Sequence, residues 1–206
     1  MKNVYFTSDT HYNHRNICRG TSAWKEMEPG NSHQNTRDFE SLDKMNYTLI
    51  KGINDNVKLD DELWHVGDWS FGGFDSILQF RSQLVCQNIH LVYGNHDHHI
   101  ENNKNGIQGA FKSVQYYKEL SLEGQKIILL HYAMRVWNHS HKGSYHCYGH
   151  SHSTLEHSPN GKSFDVGVDN AYKLFGEYRP FSFKEVQSIL SKRNTNFVDH
   201  HSKTTN

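Results

Sequence analysis

The chain has no excess of charge of either sign: 22 Lys plus Arg are balanced by 22 Asp plus Glu over 206 residues. Zero net charge gives no reason to expect a protein that coats nucleic acid or a membrane surface, although a local basic patch is compatible with it. Cysteine is scarce. Cys18, Cys86 and Cys147 cannot all pair and show no Cys-x-x-Cys spacing, which argues against a disulfide framework and for a reducing compartment. Cys147 stands three residues before His150, but no second Cys-x-x-Cys or His-x-x-His arm completes a zinc finger. It is expected to be a small buried strand residue. Long apolar runs are missing too. No stretch approaches the roughly 20 residues of a membrane span, and Met1 to Phe6 is too short for the apolar region of a signal peptide. The expectation is a cytoplasmic protein. No internal repeat or domain linker is visible, and the length suits one domain. That domain is expected over 1–193, with a flexible tail over 194–206.

Histidine is what the chain has in plenty, 17 in all, and that points toward metal or proton chemistry. Five short blocks concentrate it: Asp9-Thr10-His11, Gly67-Asp68, Gly94-Asn95-His96-Asp97, His131, and Gly149-His150-Ser151-His152. Most of them stand where a β-branched, apolar run gives way to polar residues. Val4–Thr7, Leu63–Val66, Ile89–Tyr93 and Tyr145–Tyr148 read as strands running into those blocks. Apolar residues at helical spacing from about Thr36 (Phe39, Leu42, Met45, Leu49, Ile50, Ile53) predict a helix that frays at Gly52 and Asn54–Asn56. Phe74–Val85 and Ser182–Lys192 read as two further helices. Val114–Leu122 and Lys126–His131, flanking Glu123-Gly124, predict a β-hairpin. Ser163–Val168 reads as the last core strand. Strand–helix alternation followed by a hairpin-rich part favours an α/β layered sandwich over a purely parallel sheet.

The blocks supply carboxylate, imidazole and amide oxygen, which are ligands for hard or borderline divalent cations. Two-metal phosphoester hydrolysis needs a carboxylate that bridges both ions and terminal ligands that fix each one, with the ions roughly 3.5–4 Å apart. Asp9 and His11 lie two residues apart, so an extended segment would turn both to one side. His150 and His152 repeat that spacing. Asp68 is the natural bridge, and Asn95 and His131 add an amide oxygen and a nitrogen. Taken singly, each block is a turn or a stray histidine; together and in order they predict a dinuclear centre at strand ends.

In these five blocks the chain resembles the calcineurin-like metallophosphoesterase superfamily. The resemblance implies an αββα sandwich of two central mixed sheets flanked by helices. It implies one metal on Asp9, His11, Asp68 and His152, and a second on Asp68, Asn95, His131 and His150. His96 would contact the phosphoryl group and protonate the leaving oxygen, with Asp97 orienting it through a hydrogen bond. Water activated as a hydroxide bridging the two metals would attack the ester, and manganese is the expected metal, with iron, zinc or nickel as alternatives. Phe6-Thr7-Ser8-Asp9-Thr10-His11, His14, Asn16-Ile17, the stretch from His131 through Arg135 and Trp137 to His152, and Tyr178-Arg179-Pro180 resemble the small bacterial and phage phosphoesterases.

The expected activity is hydrolysis of a small nucleotide-type phosphodiester, with a phosphomonoester or single-stranded nucleic acid as alternatives and a non-catalytic scaffold as the rival from another class. Arg135, His141 and His14 are candidate substrate-binding residues; a phosphate clamp suits Arg135 by its charge and fork geometry. His98, His99, His139 and His157 are expected in loops, and His200 and His201 in the tail. Trp24, Trp69, Trp137 and Tyr132 are candidates to stack on a base, though packing is the ordinary use of such rings. Ala171–Glu177 is expected to be a surface loop. A small soluble phosphoester is the expected partner, no membrane is, and a monomer or homodimer fits equally.

Overall fold

A computed structural model describes residues 2–23 and 36–196. Two mixed sheets form its centre. The first has the strand order β4-β3-β2-β1-β9, from β1 (Val4–Thr7), β2 (Glu62–His65), β3 (Asn88–Val92), β4 (Ser113–Gln115) and β9 (Phe181–Ser182). Its first four strands are parallel, and β9 is antiparallel to β1 through Tyr5–Ser182 and Phe6–Phe181. The second has the order β5-β6-β7-β8, from β5 (Tyr117–Leu122), β6 (Gln125–Leu130), β7 (Tyr145–Tyr148) and β8 (Ser163–Asp165). Helices α1 (Leu42–Asn56), α2 (Phe74–Gln83), the single turn α3 (His98–Glu101), α4 (Val168–Phe175) and α5 (Phe183–Ser191) flank them.

The period-2 alternation of the strands sorts the core. Phe6, Trp64, Val66 and Val92 turn toward the second sheet and pack with Ile127, Leu129, Cys147 and Phe164. Leu63, Ile89 and Leu91 point the other way, into a cluster with Ile53 of α1 and Ile77 and Phe80 of α2. Phe183, Val186 and Leu190 of α5 join the first cluster. Cys147 is buried in its strand, as its apolar surroundings require, and all three cysteines are free and buried.

Several elements differ from the sequence expectation. The first helix begins at Leu42, where the Ser41 side chain accepts from the Lys44 amide, so Phe39 is free to pack on Tyr178 instead. It runs through Gly52 to Asn56, because the burial of Met45, Leu49 and Ile53 outweighs weak local propensity. The run Val114–Leu122 is not one hairpin arm. Ser113–Gln115 pairs in parallel with β3, and the chain then crosses at Tyr116 so that Tyr117–Leu122 pairs with β6 in the other sheet. β-Propensity marks both halves as strand but carries no information about the partner. The strand at Ser163 stops at Asp165, and β9 follows it. Val168–Phe175 is a helix, where Val168 was expected to end the strand and Ala171–Glu177 to be a surface loop; Val168 and Ala171 are buried, and Gly176 at φ +73° ends it in a left-handed cap.

No helix among the described residues is long and apolar enough to cross a membrane. His200, His201 and Trp24 lie outside the described residues.

Candidate metal centre

The parallel strands deliver their C-terminal ends to one rim, where open α/β sheets generally place ligands. β1 leads to Asp9, β2 to Asp68, β3 to Asn95, β6 to His131 and β7 to His150. Loop-to-loop backbone bonds hold the rim closed: the Asp9 amide donates to Gly67 O (2.9 Å), His11 to Asp68 O (3.0 Å), and Gly149 to His131 O (2.9 Å). Close approach of these loops demands glycine at two places. A Cβ at Gly94 would stand 2.3 Å from Asp68 Oδ1, and one at Gly149 2.3 Å from Ser8 Oγ.

Extended geometry does not pair the ligand candidates, contrary to expectation. Asp9 (φ +53°), His11 (+46°), Asp68 (+58°), His150 (+66°) and His152 (+46°) all adopt the left-handed region that non-glycine residues normally avoid. Strain of this kind persists only where the surroundings over-determine it, and it gathers at functional sites. The second pair nevertheless divides as the resemblance implies: His152 joins Asp9 and His11, whereas His150 joins Asp68 and His131.

Those two groups can each hold a metal ion, and Asp68 links them. Its Oδ2 lies 3.4 Å from His11 Nε2 and 3.5 Å from His131 Nε2. Asn95 Oδ1 closes the second group, 3.1 Å from His131 Nε2 and 2.9 Å from His150 Nδ1. The side chains fit divalent cations on a physical test. Both ring nitrogens of His11 are buried without a hydrogen-bond partner, an expense that coordination removes. Burial pushes the Asp9 carboxyl up to about 7 and the His11 imidazole well below its usual range. Burial likewise opposes charge on Asp68 and His131. Their mutual attraction outweighs it, holding the Asp68 carboxyl well below the carboxylate range and raising His131 to about 9. Cations at this rim would neutralise the carboxylates and take over the imidazole lone pairs.

His96 sits beside this centre. Its amide donates to Asp68 Oδ1 (2.9 Å), and its ring lies 5.4 Å from that of His11 and 5.1 Å from that of Phe71. A cavity of about 510 Å³ opens over the ligand candidates, lined by His11, His14, Asp68, Asn95, His96 and His150–His152 among others. A second, of about 350 Å³, shares His96 and is walled by Ser70–Gly73, His98 and His99. His14 therefore reaches the centre, its ring stacked on Phe71 at 3.9 Å. Arg135 and His141 line neither cavity.

Asp97 has other work than orienting the His96 ring. Its carboxylate accepts from the amides of Asp68 (2.8 Å), Trp69 (2.9 Å) and Gly94 (2.8 Å), so it shapes the loops that carry Asp68 and Asn95. Trp69 and Trp137 are buried and pack. Tyr132 is exposed, with its ring 4.7 Å from His150.

Residues 2–164 match the calcineurin-like phosphoesterase superfamily domain. The chain belongs to this superfamily. An uncharacterized protein of Methanocaldococcus jannaschii is 26% identical over 199 residues, covering 93% of each chain. A protein of unknown function from Aquifex aeolicus has the same fold, with TM-score 0.64 and 20% identity over 92% of this chain and all of its own. An archaeal phosphodiesterase superimposes at TM-score 0.41 and 20% identity over 71% of this chain and 72% of its own.

This phosphoesterase, a hydrolase by family and by its metal-binding groups, also uses residues that sequence reasoning missed. Asp169 Oδ2 lies 2.6 Å from His152 Nδ1, and Arg37 meets the same carboxylate through two nitrogens. Asp165 accepts from Ser151 Oγ (2.6 Å) and the amides of Ser153 (2.8 Å) and Gly167 (2.7 Å), bracing the loop that holds both His150 and His152. The signal was faint: Asp165 ends a strand and Asp169 follows it, as the candidate metal-site acids follow theirs, but the sequence reads Ser163–Val168 only as a core strand.

Proposed function

We propose that the protein is a dinuclear phosphodiesterase acting on small, nucleotide-type substrates. The observation that carries the reading is the placement of one carboxylate, Asp68, against both metal-binding groups at the floor of an open cavity. In this reading Asp9, His11, Asp68 and His152 hold one cation and Asp68, Asn95, His131 and His150 the other. Their mixed oxygen and nitrogen donors suit manganese first, and iron, zinc or nickel by availability. When bound, the cation pair activates water and neutralises the phosphoryl charge.

The chain's own groups do the rest. His96 lines both cavities, so an ester lying over Asp68 and Asn95 presents its leaving oxygen to that imidazole, which serves as the general acid. Asp97 keeps Asp68 and the loop carrying Asn95 at their spacing. His14 and Phe71 form a wall beside the reacting ester. Space on both sides of His96 favours a diester, whose phosphorus carries two organic groups, over a monoester with one.

The test is turnover by manganese-loaded protein of a generic phosphomonoester, a generic phosphodiester, cyclic nucleotides and single-stranded nucleic acid. The expected order places the small diesters first. Preference for the monoester would make the protein a phosphatase, and preference for the polymer a nuclease. Inactivity on all four with both cations bound would restore the scaffold reading.

A further inference from the structure

Behind the Asp9–His11–His152 group lies a partly buried ion pair whose geometry treats the two ends of the centre differently. Arg37 is 3% exposed. Its Nε and Nη2 stand 2.8 and 2.9 Å from the two oxygens of Asp169, 132 residues away. Its Nη1 donates to Thr10 O at 2.8 Å and its Nη2 to Asp9 O at 2.5 Å. One guanidinium thus pins the carbonyls of the left-handed Asp9–His11 turn and balances the charge of Asp169. Asp169 in turn faces His152 Nδ1 at 2.6 Å, leaving Nε2 as the free nitrogen on the Asp9 side, 4.0 Å from Asp9 Oδ1. A carboxylate behind an imidazole fixes its tautomer and raises its basicity toward a metal.

The other group lacks such backing. Among the described residues, His131 Nδ1 faces only the Val66 carbonyl (2.8 Å), and His150 is exposed with its Nδ1 on Asn95 (2.9 Å). A neutral carbonyl orients a ring but adds no charge, and an exposed imidazole keeps its rotamer freedom until a cation takes it.

We propose that Arg37 and Asp169 are positioning residues that preorganise the Asp9–His11–His152 group as the tight cation position, leaving the Asn95–His131–His150 group as the exchangeable one. The inference rests on the ligand assignment under Proposed function and deepens it. Lysine cannot replace Arg37, because a single ammonium cannot reach two carbonyls and a bidentate carboxylate together.

Calorimetric titration of metal-free protein with Mn²⁺, paired with metal content after dialysis, tests it. The wild type should bind two cations with affinities at least about tenfold apart and keep one through dialysis. Asp169→Asn should weaken the tighter event about 10–100-fold and leave the weaker one in place, so that the two merge. Arg37→Lys should do the same if Asp169→Asn fails to fold. Nitrogen-15 NMR of metal-free wild type should show His152 protonated at Nδ1, and Asp169→Asn should lose that bias. Two equal affinities in the wild type, or equal weakening of both events in the variants, would overturn the inference while leaving the dinuclear reading intact. Binding of one cation or none would overturn both.

Discussion

At the scale of single residues, the proposed roles of Asp68 and His96 separate metal binding from chemistry. Asp68 faces histidines of both groups, so Asp68→Asn should reduce bound metal at both positions together, read by elemental analysis of dialysed protein; loss of one ion alone would remove Asp68 as the bridge. His96→Ala should keep its full metal content and lower kcat by about 10²–10⁴, the usual worth of a positioned general acid. Unchanged turnover across several substrates would sink that role. His146, away from the centre, predicts a pH effect on folding. Burial lowers its pKa to about 4, and its ring nitrogens lie 3.1 Å from the Ile128 carbonyl and from the Met134 amide. The unfolded chain therefore takes up a proton near 6.5 that the folded chain refuses until about 4. Stability from this group is complete above about pH 6.5 and falls as the pH drops toward 4, by about 3 kcal/mol in all. Urea midpoints of wild type and His146→Gln at pH 7.5 and 5 should show the drop in the wild type to be steeper by that group's share.

At the scale of elements, turns matter more than strands. The strands were legible because apolar, β-branched runs stop sharply at polar blocks, and the five blocks marked where their ends converge. The left-handed backbone of Asp9, His11, Asp68, His150 and His152 was not legible. Asp and His enter positive φ more readily than most side chains, but which of them do so is imposed by neighbouring loops. The splitting of Val114–Leu122 between two sheets and the helix at Val168–Phe175 were hidden for a related reason: partner choice and burial are properties of the assembled layers. The glycine before Asn95 is where local chemistry and assembly meet. Gly94→Ala should push Asp68 aside and cost metal affinity while circular dichroism stays native-like, because the contact is with a ligand loop rather than with a core strand. A native metal affinity in that variant would show that the loops have room to give.

Over the whole molecule, the centre is also a clamp between the two sheets, since its ligand candidates come from the ends of β1, β2, β3, β6 and β7. Removing the cations with a chelator should lower the melting temperature as well as abolish hydrolysis, and manganese should restore both. A cation at 100 times its Kd adds roughly 3 kcal/mol, or roughly 5–10 °C for a domain of this size. An unchanged melting temperature would mean that the sheets hold each other without the metals. By itself the sequence determined the family, the layered fold and most of the residues that meet at the rim, because those follow from residue type and from apolar periods that act locally. Only the tertiary structure decided that Asp97 braces loops and that Arg37 and Asp169 stand behind His152. Those facts depend on contacts across as many as 132 residues of chain, and no local pattern records a partner that far away.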